Sequence, residues 1–124
     1  MEYVTAQEAK VFRIGIRNYR SNSREFLTPA DVRAVWCSVF LITNVPHVDH
    51  IERTIDGYGK RPLDPRDVFH DPQPEWGDRM NFFHTMPGGD ESPFQEIGRL
   101  YLVRYEIEPR HGETQVFTFR VECY

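Results

Sequence analysis

Cysteine is scarce: Cys37 and Cys123 are the only two in 124 residues. A small secreted domain stapled by disulfides needs more. The pair therefore reads as two reduced thiols, with a single Cys37–Cys123 bridge as the alternative. Long apolar runs are missing as well. Val39–Ile42 is as long as any, far short of the roughly 20 residues a membrane-spanning helix requires. No charged-then-apolar leader opens the sequence at Met1-Glu2-Tyr3-Val4. The expectation is a cytoplasmic or virion protein without a visible export signal or membrane contact. Lysine is rare, two residues against thirteen arginines. Arginine suits stacked and bidentate contacts, although a GC-rich genome produces the same bias. The sequence holds no internal repeat, low-complexity tract, G-x-S-x-G elbow, Walker loop or EF-hand spacing, so none of those chemistries is signalled.

Aromatic residues are plentiful: nine Phe, six Tyr and two Trp. With 40% hydrophobic and 27% charged residues, the chain is globular rather than disordered. It has the usual length of one domain and can hold a core without staples. The net charge of −4 is unevenly spread. Residues 1–44 carry six basic and four acidic groups, residues 45–98 five and eleven, and residues 99–124 four of each.

Along the chain, Phe12, Ile14 and Ile16 alternate with Arg13, Gly15 and Arg17, the period of a half-buried strand. Residues 2–6 form a short strand or a frayed arm. Thr28-Pro29-Ala30-Asp31 is a capping box with Pro at the first helical position. Val32, Val35, Trp36, Val39 and Phe40 then recur at three and four, predicting a helix from Pro29 to Thr43. A strand at Ser38–Thr43 is the competing reading. A second helix is predicted from Val48 to Asp56 through Val48, Ile51 and Ile55, stopped by Gly57. Residues 57–93 hold six of the nine prolines and five of the eight glycines. They read as an ordered, loop-rich excursion with a short element at Arg79–Met86. Ser92-Pro93-Phe94-Gln95 opens a further helical turn ending at Gly98. Two strands, Arg99–Glu108 and Thr114–Cys123, finish the chain around a hairpin loop at 109–113. The fold class predicted is α+β, a single domain over 1–124. An antiparallel sheet of three to four strands carries two helices on one face, and the 57–93 excursion stands apart.

Five constellations bear on chemistry. His47 and His50, with Asp49 between them, share one face of the second predicted helix. They are a metal-ligand pair if a third ligand such as His70, His84 or Asp71 joins them. Otherwise they are solvated residues at a helix start. The acids Asp64, Asp67, Asp71, Glu75 and Asp78 match no metal loop and read as a solvated face. Cys37 and Cys123 read as buried apolar residues rather than nucleophiles. Arg13, Arg17, Arg20 and Arg24 with Tyr19 form a basic, stacking-competent segment suited to nucleic acid, against a negative overall charge. The 57–93 segment combines Phe69, Trp76, Phe82 and Phe83 with Arg61, Arg66 and Arg79, the residue types that protein interfaces concentrate.

The favoured expectation is a non-enzymatic interaction or assembly subunit that docks through this loop onto itself, as a homo-oligomer, or onto another protein. No cofactor is expected. Small virion components, such as phage neck or tail subunits, and inhibitors of host proteins share such an architecture by analogy. The alternatives are a small metal-dependent hydrolase using His47, Asp49 and His50, and a nucleic-acid binder using the basic segment.

Overall fold

The longest element is a strand where a helix is predicted. The computed structural model describes residues 1–18, 26–71 and 80–124. In it the capping box at Thr28 forms as read, the Asp31 carboxylate accepting from both the Thr28 amide and hydroxyl. It caps a single 3-10 turn, Pro29–Asp31. The chain then runs straight through Val32–Asn44 as a strand of 13 residues, β3. The predicted helix stripe fails because this segment is apolar on both of its faces. Val35, Cys37, Val39 and Leu41 are buried on one side, and Trp36, Ser38, Phe40 and Ile42 are buried or half-buried on the other. A segment apolar all round satisfies periods of 2 and 3.6 alike, and its β-branched and aromatic content fits a central strand.

The other strands are β1 (Glu2–Val4), β2 (Lys10–Ile14), β4 (Asp49–Thr54), β5 (Arg61–Leu63), β6 (Phe82–Met86), β7 (Leu100–Pro109) and β8 (Gln115–Cys123). The main sheet has the order β1-β8-β7-β3-β4, with β5 also paired to β3. Its pairs are antiparallel except β1–β8, which is parallel. The α+β expectation is therefore corrected: the protein is mostly β, with a mixed six-stranded sheet. The predicted second helix is β4, hydrogen-bonded to β3 across a bulge at Leu41/Ile42. Ile51 is half exposed there, while Ile55, just past the strand, packs against the core. The predicted turn of helix after Ser92 is also absent; Phe94 instead buries its ring against Tyr101 at 5.3 Å.

The layer assigned to two helices is supplied by β2 and β6, which pair as a second sheet. Phe12 of β2 stacks within 6.0 Å of Tyr105 and 5.1 Å of Phe119. Phe82 of β6 meets Tyr105 edge-on at 5.0 Å, and Phe69 meets Phe82 at 5.4 Å. Each buried aromatic side chain contributes about 2–3 kcal/mol of apolar transfer free energy, and tilted ring pairs add to it. The described part of the 57–93 segment, residues 57–71 and 80–93, packs onto the rest of the fold. It supplies β5, the short helix α1 (Pro65–Val68) and β6, and it buries Val68, Phe69, Phe82 and Met86 in the core.

The terminal hairpin matches its expectation. Tyr101, Val103, Tyr105 and Ile107 of β7 oppose Val121, Phe119, Phe117 and Gln115 of β8, and the first set is fully buried. Among the described residues no helix is long and apolar enough to cross a membrane.

Candidate functional site

Strand alternation divides the main sheet into two faces. Register places Cys37, Tyr105 and Phe117 in one row of the inner face, and Val39, Val103 and Phe119 in the next. This face lies under β2 and β6. The outer face carries the row Trp36–Glu106–Val116, then Ser38–Arg104–Thr118, then Phe40–Leu102–Arg120. An antiparallel sheet with one solvated face normally shows polar residues there. This one presents Trp36, Phe40, Leu102 and a Val116 that is 55% exposed. Cations lie on its rings: Lys60 over Trp36 at 4.6 Å and Arg104 over Phe40 at 4.8 Å. Lys60 also pairs with Glu106 at 3.8 Å. Trp, Phe and Arg on a half-buried platform, with both charge signs interleaved, have the composition of an interface centre.

At one end the β3–β4 hairpin folds over this face. β3 loses β7 after Ile42 pairs with Leu100, while Thr43 and Asn44 continue with β4 alone. Asp49 meets Arg120 of β8 at 2.9 Å. Glu52 meets Arg99 and Thr43, and Arg53 meets Glu96. Those partners hold the Glu52 carboxyl below the usual carboxylate range, chiefly through Thr43 and then Arg99. The outside of the hairpin leaves Val45, Val48 and Ile51 more than half exposed.

The buried polar groups lie on the inner side. The Tyr105 hydroxyl is 2.7 Å from His84 Nδ1 and neighbours Cys37 directly across the strands. Burial, only partly offset by the hydrogen bond with Tyr105, pushes the Cys37 thiol up to about 12. Burial, aided by the Arg61 charge, brings the His84 imidazole down to about 4. At neutral pH this chain holds a protonated thiol and a neutral imidazole, so it presents no thiolate nucleophile. Both cysteines are buried and unbridged.

The sequence-derived sites are dispersed. His47 sits at the hairpin tip with φ 65°. Asp49 is engaged by Arg120, and His50 Nε2 lies 3.2 Å from the Val45 carbonyl. Without a helix the three share no face, and among the described residues no group of His, Cys, Asp and Glu is placed to hold a metal. Arg13 lies over Phe83 at 5.9 Å and Arg17 over Phe26 at 4.1 Å. Tyr19, Arg20 and Arg24 fall outside the described residues, as do Trp76, Arg79, Glu75 and Asp78. Phe69 and Phe82 are core residues with almost no exposed surface, whereas Phe83 is half-buried. Arg61 lies over Tyr58 at 5.3 Å on the rim of a cleft of about 460 Å³ facing Asp90 and Glu91. Arg66 is exposed and forked onto Asp64, whose carboxyl it holds below the usual range.

Two features went unread in the sequence. One is the set of apolar side chains on the outer face, hidden because Trp36 and Phe40 fit a helix stripe as well as alternate strand positions. The other is Asn81, fully buried. Its side chain accepts from the Ile16 amide at 2.7 Å and donates to the Ile16 and Leu27 carbonyls at 3.0 and 2.8 Å. No protein family, curated protein or solved structure matches this chain.

Proposed function

We propose that the protein is a non-enzymatic assembly subunit whose outer sheet face docks onto a second copy of itself. The observation that carries this reading is the outer face, where Trp36, Phe40, Leu102 and Val116 stand among the charged and polar side chains that alternation should place there. The occupant follows from the arrangement of the rows. Arg104 and Glu106 are two residues apart on β7 and project from the same face. A two-fold axis lying between two stacked sheets and crossing β7 between them sets each Arg104 against the other copy's Glu106. The same operation sets Trp36 against the small Ser38, and Val116 against Thr118. Charge and size are both self-complementary, as an isologous interface requires.

The test is solution mass by light scattering across a concentration range. We expect a dimer. Val116→Asp and Arg104→Glu should each shift it toward monomer, and Arg104→Glu combined with Glu106→Arg should restore it. A monomer at every concentration, or a dimer indifferent to all three variants, overturns the reading.

A further inference from the structure

Three arginines from distant parts of the chain meet beside one groove. The groove, of about 470 Å³, is lined by Pro29, Ala30, Val32 and Pro65 together with Arg33, Arg66 and Arg110; Asp64 also lines it. Register explains the meeting. Val32 pairs with Pro109, so the residue after each, Arg33 and Arg110, flanks the end of the β3–β7 ladder. The Asp64 side chain accepts from the Arg66 amide at 2.9 Å, which caps α1 and fixes Arg66 alongside.

The three cations are held differently. Arg66 gives Nε and one terminal nitrogen to Asp64, at 3.3 and 3.1 Å. Arg33 approaches Glu108 at 3.5 Å. Arg110 is anchored on backbone carbonyls instead: its amide to Asp31 and its Nε to Ala30, both at 2.8 Å. No carboxylate pairs with Arg110 among the described residues, so its charge is positioned without being neutralised. A fixed guanidinium beside a rigid, proline-bearing apolar floor is a preorganised anion donor, strengthened by the low-dielectric wall.

We infer that this groove binds a phosphate monoester carried on a small apolar group. Phosphate is favoured over carboxylate because its three acceptor oxygens match the donors left by three guanidinium groups. The floor takes the apolar body.

Phenyl phosphate is the probe, followed by protein NMR at constant ionic strength. We expect saturable shifts of the Val32 and Arg33 amides and of the Arg110 Nε–H. Arg110→Gln should weaken binding about tenfold or more, the loss of a charge-assisted hydrogen bond. Arg33→Gln, which leaves the Asp64 cap untouched, should weaken it in the same direction. Inorganic phosphate should bind more weakly than phenyl phosphate, and phenol should not bind. The inference is overturned by an absence of saturable shifts at millimolar probe, by equal affinity in both variants, by phenol binding as well as phenyl phosphate, or by phosphate matching it.

Discussion

Arg120 on β8 and Asp49 on β4 lie 2.9 Å apart although β7 and β3 separate their strands. The contact exists because β3 outruns β7 at Ile42 and the hairpin bends back across the outer face. Ile42 is only 2% exposed as a result. The Arg120 stem adds apolar cover along the way. Replacing Arg120 by Ala should cost about 1 kcal/mol, the upper end for a partly exposed ion pair plus its packing. Arg120→Met, which keeps the stem, should cost less. Urea denaturation measures the loss, and amide exchange should quicken at residues 43–51 before it does in β7. Unchanged exchange there would show that the ion pair does not restrain the hairpin.

Asn81 joins the chain at Ile16 to the chain at Leu27 through three hydrogen bonds. Asn81→Ala leaves the Ile16 amide and the Leu27 carbonyl without that partner in a fully buried site, while the Ile16 carbonyl keeps the Leu27 amide at 3.0 Å. We expect a loss of about 3 kcal/mol or more, from the desolvation of unmade hydrogen bonds. Asn81→Asp should be no better, because a carboxylate cannot donate to the two carbonyls. Thermal or urea unfolding decides it, and a cost below that of an ordinary surface substitution would refute the assignment.

His84 links stability to acid pH. Its folded value, about 4, lies below the ordinary 6.5, so the unfolded chain takes up the proton first. Its contribution is complete above pH 6.5 and drains away as the pH falls through 4. The total is on the order of 3 kcal/mol. The urea midpoint of the unaltered protein should fall more steeply between pH 7 and 4 than that of His84→Gln. The sign reverses for Cys37. Its raised thiol gives stability present below pH 9, the ordinary value, and lost as pH climbs toward 12. Native protein at pH 8 should therefore resist a thiol reagent that titrates both cysteines in urea.

His47 occupies the left-handed region at φ 65°, following Pro46 in the turn closed by the Val45 amide and the Val48 carbonyl. Proline and then a positive-φ residue is a type II arrangement, which prefers Gly or Asn at the second place. His47→Gly should raise stability by up to about 1 kcal/mol by relieving that strain. A loss on the same denaturation assay would mean that the imidazole makes a contact worth more than the strain.

Where a segment has one apolar face, the sequence shows it. The β7–β8 hairpin follows from the alternation in Tyr101–Ile107, broken only at Leu102, and in Phe117–Cys123, and β2 from Phe12 and Ile14. The buried state of both cysteines follows from the residues around them. The capping box at Thr28 is also read correctly, but a cap specifies where a turn starts and says nothing of its length. Beyond it, the segment 32–44 is apolar on both faces, so no period is preferred locally. Only its position between β7 and β4, with ladder partners on both sides, makes it a strand. The same holds for 49–54, whose helical spacing yields to pairing with β3. Residue types determined the absence of a membrane-length run and the terminal hairpin, whereas the pairing of β2 with β6 put Phe82, and Phe69 against it, in the core. Non-local hydrogen bonding decided the central strand, and with it the placing of Trp36 and Phe40 on the outer face and the strap of Arg120 on Asp49. Those contacts join residues too far apart in sequence for any local pattern to record them.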